Sequence, residues 1–566
     1  MTARSTRLPF RLACAGALVF AGWRAVAMRW TTDDAFISFR YARNWLDGLG
    51  LVFNAGERVE GYSNFLWTVW SAAGLRLGFD AAAWANAWGI ACYLGSVALL
   101  AVMGVALARR RDGHAPLLPL AAIGASLNPE WSIFATSGLE TSAFTFLLLL
   151  GYALAVVGAR ARPAWLVAAG LAFGAAALTR PDGMLPAAVA GAWLLLVAQP
   201  RWKSALLYAA AVGIVVAPFL AWRVSYYGDL FPNTYYAKSA NLAWYEQGAH
   251  YLRLYFERYW ALALGPLFLA AALVLARRRG RRLAELDPGG ALTLAAALAA
   301  TYAFYVVHVG GDFMFARLLV PVTPFLLLLL EQGALLLFGA ARPVGYAVAL
   351  AALVGSFLTP SPVTDEVWSR GVADEWKYYS RERVAQSDRT AAVLRRYFEG
   401  LPVRVAFYGD EARVVYGARF PVAIESHAGL TDHFVARQAL AERGRIGHEK
   451  PAPLDYLIAT RKAHFTFSGE PQQRLAAWIP PVFVTFEDGV HGQVLHWDPL
   501  LMRELAHRGA KVPDFPGMLD AYLRQIDALP LESVQSEYAK VQRFYFAHVD
   551  DPVREAAFRR RIEGDR

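Results

Sequence analysis

Two adjacent aspartates, Asp33 and Asp34, directly precede a stretch with helical spacing, and their side chains are suited to acid–base chemistry. Neighbouring carboxylates repel each other, so one of them can accept a proton or bind a cation. The plainer alternative is that the pair caps the helix that follows, because helix N-termini favour carboxylates. That helix is predicted from Ala35 to Leu46. Its apolar stripe holds Phe36, Phe39, Ala42, Trp45 and Leu46, and its opposite face holds Arg40, Arg43, Asn44 and Asp47.

A second segment, Tyr226 to Lys238, is dense in aromatic residues and ends in a cation. Aromatic rings can stack on a sugar, and an ammonium group can hold a phosphate. The composition equally fits an aromatic belt at a membrane interface with a snorkelling lysine. The residues alone leave both interpretations open.

Two shorter polar motifs interrupt apolar runs. In the segment from His308 to Arg317, two glycines allow a tight turn and Asp312 is expected to face Arg317. A structural ion pair is the alternative, although charged groups buried in a membrane cost roughly 3 kcal/mol each at its centre. In Thr179 to Gly183, Arg180 can reach a phosphate, or the motif is a plain turn with Thr179 as a cap.

Long Ala, Leu and Val runs fill the chain to about residue 359, and the remainder has the composition of a globular protein. With 56% hydrophobic and 18% charged residues over 566 positions, the chain is too apolar for a soluble protein. The net charge of +10 lies in short basic clusters between apolar runs, which disfavours nucleic-acid binding. Cys14 and Cys92 lie in apolar stretches and provide neither a disulfide framework nor a thiolate metal site.

The apolar runs predict eleven membrane crossings, and the basic loops between them predict a cytoplasmic N-terminus and an outer C-terminal domain. The N-terminal run is expected to be retained rather than cleaved as a signal peptide. The segment Phe65 to Gly78 is expected to lie along the membrane interface. The predicted crossings are Phe10 to Met28, Trp84 to Leu107, Pro116 to Leu127, Ser142 to Val157, Ala164 to Leu178, Met184 to Ala198, Ala205 to Trp222, Tyr259 to Ala276, Ala291 to Val307, Leu318 to Phe338 and Val344 to Leu358.

The C-terminal residues 360–566 predict a small α/β domain. Polar amphipathic stretches such as Asp365 to Glu399 alternate with strand-like runs at Val403 to Tyr408, Tyr456 to Ala459 and Val482 to Phe486. Titratable residues concentrate in Glu425 to Asp432 and Arg445 to Lys450. Recognition of a sugar by hydrogen bonds is favoured there over a metal site built from His427, Asp432, His433 and His448, whose spacing matches no common ligand pattern.

The ordered string from Asp33 to Ala42, continued by Gly48 to Asn54, Gly56 to Ser63 and Leu66-Trp67, resembles the first periplasmic loop of GT-C glycosyltransferases. The group in question is the mycobacterial terminal β-(1→2) arabinofuranosyltransferase with its Gram-negative relatives. Pro232 to Lys238 and His308 to Arg317 resemble motifs of the same group. The resemblance implies a polytopic helical GT-C protein of the bacterial cytoplasmic membrane, with a transmembrane catalytic domain over residues 1–359, its first periplasmic loop over 29–80, and a periplasmic α/β domain over 360–566.

The resemblance also implies a reaction. An inverting single displacement would move a sugar from a polyprenyl phosphate to a glycan, lipopolysaccharide or glycoprotein acceptor. The favoured sugar is arabinofuranose. Asp33, helped or replaced by Asp34, would be the base. The expected donor-binding residues are Arg40, Arg180, Asn233, Tyr235, Tyr236, Lys238, Asp312 and Arg317. The expected acceptor-binding residues are Glu60, Tyr62, His427, Asp432, His448 and Glu449.

Three points stay open at this stage. A divalent cation at Asp33, Asp34 or Asp312 can be neither assigned nor excluded, and no other cofactor is implied. The transferred sugar can equally be mannose, glucose or 4-amino-arabinose, because a fold does not fix a substrate. A flippase or transporter of lipid-linked sugars would also explain the apolar runs, but it gives no reason for an acidic pair above the membrane.

Overall fold

The computed structural model describes residues 7–112, 116–160, 162–287, 289–364, 369–409, 411–467, 475 and 477–564. The basic residue Arg4 and the expected helix start at Asp365 lie outside these ranges. Up to Leu358 the described chain is helical, with connecting loops. The helices are α1 Arg7–Ala27, α2 Ala35–Leu46, α3 Phe65–Arg76, α4 Ala81–Asp112, α5 Leu120–Leu127, α6 Pro129–Phe134, α7 Thr141–Gly158, α8 Pro163–Thr179, α9 Met184–Val197, α10 Arg201–Tyr227, α11 Asn233–Ala237, α12 Tyr245–Arg258, α13 Leu264–Arg278, α14 Leu283–Leu286, α15 Ala291–His308, α16 Thr323–Phe338 and α17 Arg342–Leu358.

Each of the eleven predicted crossings falls on a helix. Six helical segments in the described ranges are long and apolar enough to span a membrane, and four apolar ones are somewhat shorter. The predicted crossing Pro116 to Leu127 is wrong in length: its helix, α5, has eight residues and rises about 12 Å, against a hydrocarbon core of about 30 Å. The chain is a multi-pass membrane protein.

The segment between α1 and α4 contains the two helices predicted for it. Helix α2 begins and ends where its stripe predicts, and Gly48 follows its C-cap with a φ of 81°, a conformation that glycine adopts without strain. Helix α3 covers most of the expected interfacial segment and packs against α2 and α4. These contacts fix the position of the acidic pair at the start of α2.

The C-terminal region, defined here as residues 360–566, contains one mixed five-stranded sheet. Its strands are β1 Arg404–Phe407, β2 Val422–Glu425, β3 Phe465–Thr466, β4 Phe483–Thr485 and β5 His491–Val494, in the order β2-β1-β3-β5-β4. Strand β1 pairs in parallel with β2 and β3, whereas β5 pairs antiparallel with β3 and β4. The helices of this region are α18 Glu375–Tyr378, α19 Arg381–Phe398, α20 Ala412–Ala418, α21 His433–Ala436 and four more at Pro499–His507, Phe515–Leu523, Leu531–Val541 and Pro552–Glu563.

Two of the three predicted strands are present as β1 and β4. The third, Tyr456 to Ala459, is wrong, because these residues form part of a π-helical turn at Tyr456–Thr460. Its apolar side chains Leu457 and Ile458 are buried, which accounts for the strand-like pattern. The strands β2, β3 and β5 were not predicted.

Candidate active site

Asp34 has a carboxylate that no described residue binds. It is the N-cap residue of α2 and makes no side-chain capping bond, so the capping interpretation does not hold for it. The side chain is partly exposed. Its charge nevertheless acts on the half-buried Lys238 and the buried Arg317, which places it in their electrostatic neighbourhood.

Asp33 points into a different environment. Its side chain is buried, and its two carboxylate oxygens accept hydrogen bonds of 2.8 Å from the backbone N–H groups of Ala412 and Arg413. These N–H groups open α20 and have no partner within that helix. Asp33 therefore joins the start of α2 to the C-terminal region.

Lys238 carries the corresponding unpaired cation. In the described part of the chain, no hydrogen bond or ion pair reaches its ammonium group. Burial lowers the pKa of Lys238, and Arg317 adds to this effect while Asp312 and Asp34 oppose it. Gly447 lies against the side chain of Lys238. Its φ is 76°, and a Cβ at this position would lie 3.4 Å from Cε of Lys238. The lysine thus lies beneath a loop of the C-terminal region.

Asp312 and Arg317 form the expected ion pair through Nε of the arginine, and both side chains are buried. Burial lowers the pKa of Arg317, but Asp312 and the other nearby carboxylates outweigh it, so the net shift is upward. Gly311 turns here with a φ of 80°, and a Cβ would lie 2.5 Å from the ring of Tyr251. The pair holds a permanent guanidinium charge beside Lys238.

Arg180 forms ion pairs with two carboxylates of the protein. Its guanidinium lies 3.1 Å from Glu140 and 3.0 Å from Asp182. Asn64 donates to Glu140 at 2.9 Å, and the hydroxyl of Tyr302 donates to Asp182. The expectation that Thr179 caps the next helix is wrong, because this residue ends α8 and its hydroxyl donates to Ala175.

His448 and His427 lie above this group of charges. The ring of His448 is 5.0 Å from that of Phe313 and 4.7 Å from that of His427, which stacks on Tyr408 at 3.8 Å. Burial, with help from Arg445, lowers the pKa of His448 to about 4. Its Nδ1 is 3.1 Å from the carbonyl oxygen of Ile446, so Nδ1 carries the proton and Nε2 is an acceptor.

Two of the expected donor-binding residues make structural bonds instead. Arg40 is 2% exposed, contrary to its predicted place on the polar face of α2, and it donates to the carbonyls of Phe53 and Phe420. Asn233 is also buried and donates to the carbonyls of Gly429, Leu430 and Asp432. The hydrogen-bond donors of Arg40 and Asn233 are therefore engaged by backbone carbonyls of the protein.

Four of the expected acceptor-binding residues are likewise bonded within the protein. Glu60 forms a buried pair with Arg223 at 2.8 Å, and burial raises the pKa of Glu60 to about 7. Tyr62 is buried with its hydroxyl 3.1 Å from that of Tyr227. Asp432 caps α21, and Glu449 accepts from Gly444 and Arg443.

Tyr235 and Tyr236 are partly exposed on α11. Tyr235 stacks on Phe231 at 4.5 Å, and Tyr236 donates to Asp229 at 2.9 Å. The guanidinium of Arg437 lies 4.0 Å from the ring of Tyr236. These rings form an aromatic surface on the segment that ends at Lys238.

An apolar cavity of about 370 Å³ begins two residues beyond Arg317, at Leu319. Leu252, Tyr255 and Phe256 of α12 form one part of its wall. The remaining lining residues come from α13, α15, α16 and the turn before α16. An apolar cavity of this size suits a hydrocarbon chain.

Two contributors to the site were not among the expected binding residues. Glu140 and Asp182 neutralise Arg180, whereas in the described ranges no carboxylate pairs with Lys238 and one pairs with Nε of Arg317. Asp182 lies within the Thr179 to Gly183 motif and was the available signal, whereas Glu140 lies 40 positions before Arg180 and only the fold brings it near. No three His, Cys, Asp or Glu side chains in the described ranges are grouped to hold a metal ion, including the four residues considered at residues 427–448.

Comparison with known proteins agrees with the sequence motifs, although no protein-family profile matches the chain. It is 36% identical over 351 residues to the terminal β-(1→2)-arabinofuranosyltransferase of Corynebacterium glutamicum, a match covering 56% of this chain and 50% of that protein. The enzyme of the same name from Mycobacterium tuberculosis is 31% identical over 355 residues, covering 58% of this chain and 56% of that protein. The chain thus spans about half the length of these curated relatives.

Among solved structures, ArnT from Cupriavidus metallidurans bound to undecaprenyl phosphate superimposes with a TM-score of 0.54 at 15% identity, covering 85% of this chain and 97% of that one. The apo form of the same protein gives 0.53. The two folds are the same. The expected fold class, a helical GT-C membrane protein with an α/β C-terminal region, is confirmed.

Proposed function

We propose that the chain is a glycosyltransferase of the bacterial cytoplasmic membrane that moves arabinofuranose from a polyprenyl phosphate to a surface glycan on the periplasmic side. The observation that carries the proposal is the placement of Asp34 and Lys238. Among the described residues, no hydrogen bond or ion pair reaches the carboxylate of Asp34 or the ammonium of Lys238. The two belong to one group of charges, and an apolar cavity begins two residues beyond Arg317. The names of the two arabinofuranosyltransferase relatives support the choice of sugar.

The donor is expected to bind with its phosphate at Lys238 and Arg317. The isoprenoid tail would occupy the apolar cavity that starts at Leu319. Arg317 uses only Nε for Asp312, so its two amino groups remain for phosphate oxygens. The undecaprenyl phosphate bound to ArnT, a protein of the same fold, agrees with this class of donor.

Asp34 is the proposed base. It takes the proton of an acceptor hydroxyl as the oxygen attacks the anomeric carbon, and the bond from that carbon to the phosphate oxygen breaks. The leaving polyprenyl phosphate needs no general acid, because Lys238 and Arg317 hold its growing negative charge. Asp33 is not the base in this scheme, because both of its oxygens already bind α20.

The neutral ring of His448 is proposed to accept a hydrogen bond from the acceptor sugar, next to His427. His448 directly follows Gly447, which contacts Lys238, and the ring of His427 lies 4.7 Å from that of His448. The acceptor therefore approaches from the C-terminal region, whereas the donor approaches from the apolar cavity. Asp34 lies where the two meet.

The test is transfer by the purified protein in proteoliposomes from a panel of labelled polyprenyl-phosphoryl sugars to arabinan and other surface glycans. We expect transfer from the arabinofuranose donor above the mannose, glucose and 4-amino-arabinose donors. A single displacement also predicts that the product has the opposite anomeric configuration to the donor, which NMR would measure. Transport of the intact lipid-linked sugar without transfer would contradict the proposal.

A further inference from the structure

The acidic pair has two chemically different members, and their difference is set by the C-terminal region. Asp34 makes no side-chain bond to the described residues, whereas the neighbouring Asp33 uses both oxygens at 2.8 Å on the first two N–H groups of α20. The partners in this contact are nearly 380 positions apart in sequence. Asp33, in the segment between α1 and α2, is thus fixed by a contact with the C-terminal region.

We infer that Asp33 is a positioning residue, through which α20 of the C-terminal region orients the carboxylate of Asp34 toward Lys238 and Arg317. The inference rests on the proposed function of Asp34 as base. Asp34 has α-helical backbone angles, and successive residues in that geometry project about 100° apart around the axis. Fixing Asp33 on α20 therefore turns Asp34 away from α20, toward the cations.

Several contacts make this attachment rigid. The guanidinium of Arg413 lies 4.8 Å from the ring of Phe36, the second residue of α2, and the ring of Tyr416 lies 5.5 Å from Phe36. Arg43 donates to the carbonyl of Tyr416 at 2.7 Å. Beyond α2, Asn54 exchanges two hydrogen bonds of 2.9 Å with the backbone of Ala423 in β2.

The test uses the fact that asparagine caps a helix nearly as well as aspartate, whereas it cannot act as a base. One amide oxygen can serve two N–H groups, as a single oxygen of Asp432 does at the start of α21. Asp33→Asn should therefore keep kcat within about tenfold of wild type. Asp33→Ala should lower kcat by about 100-fold at an unchanged KM for the donor, because a shift of about 1 Å in a reacting group costs this much.

Two further variants and one measurement complete the experiment. Asp34→Asn should lower kcat by about 10²- to 10⁴-fold. Asp388→Ala is the matched control, because it removes the exposed side-chain bonds of Arg413 and leaves its N–H on Asp33. Hydrogen exchange of the Ala412 and Arg413 amides should be faster in Asp33→Ala than in Asp33→Asn. This readout shows whether the attachment is lost in protein that still folds.

The possible outcomes separate the two proposals. If Asp33→Asn is as inactive as Asp34→Asn, Asp33 takes part in the chemistry and the positioning role is wrong. If Asp33→Ala has wild-type kcat although its α20 amides exchange faster, the contact does not orient the base. If the wild type itself transfers no sugar, the proposed function fails, and this inference fails with it.

Discussion

Replacing Lys238 with methionine removes one charge from the proposed phosphate site and keeps the length of the side chain. A hydrogen bond to a charged group contributes about 1.5–3 kcal/mol, and 1.4 kcal/mol is a factor of ten. Because Arg317 remains, we expect Lys238→Met to lower kcat/KM for the polyprenyl-phosphoryl donor by about 10- to 100-fold. Lys238→Arg should retain more of the activity, since it keeps the charge.

The same substitution should not destabilise the protein. Burial lowers the pKa of Lys238 below its ordinary value of 10.5, so the charged lysine opposes folding at neutral pH. Methionine removes that penalty, and the melting temperature should stay the same or rise. The assay is donor-dependent transfer together with thermal unfolding, with Lys203→Met, at an exposed position of α10, as the matched control. Transfer within twofold of the wild type, or a clear loss of stability, would refute this reasoning.

Two other predictions follow from histidines of the C-terminal region. Because the pKa of His448 is about 4, its ring stays neutral near pH 7. His448→Ala should raise the KM for the acceptor by about tenfold, and His448→Gln should raise it less. An unchanged acceptor KM in His448→Ala would show that the residue does not bind the acceptor. Burial lowers the pKa of His464 to about 4 and that of His496 to about 3, so the unfolded chain binds protons below about pH 6.5 that the folded region does not bind. Stability should therefore fall between about pH 6.5 and pH 4, by up to about 1.4 kcal/mol per pH unit for each histidine, and equal melting temperatures at pH 7 and pH 5 would contradict it.

Local patterns were sufficient to predict helix α2 and the helices of the long apolar runs, but not α6, α11 and α12, which lie in segments predicted as outer loops. The apolar stripe of α2 correctly predicted the first and last residues of that helix, and each apolar run corresponds to a helix. Asp312 and Arg317 were expected to pair and do so, because they are close in sequence and directly follow the turn at Gly310 and Gly311. Regular periodicity and short-range chemistry are both visible in a single sequence.

The roles of individual polar residues depended on partners far along the chain. Arg40 is expected to face solvent by its helical position, yet its acceptor, the carbonyl of Phe420, lies in the C-terminal region. The same applies to Asn233 and to Asp33, which bind backbone groups that only the folded structure brings near. Short strands such as β3, with two residues, carry too little pattern to be found.

The central claim is that Asp34 removes the acceptor proton and contributes little to binding the donor. The most direct test is a single-turnover measurement with labelled donor already bound, in the wild type and in Asp34→Asn, together with the donor dissociation constant of each. A general base contributes about 10²- to 10⁴-fold, so we expect a rate loss in that range with nearly unchanged donor affinity. A variant that transfers sugar at the wild-type rate, or that loses activity only because it no longer binds the donor, would contradict the account.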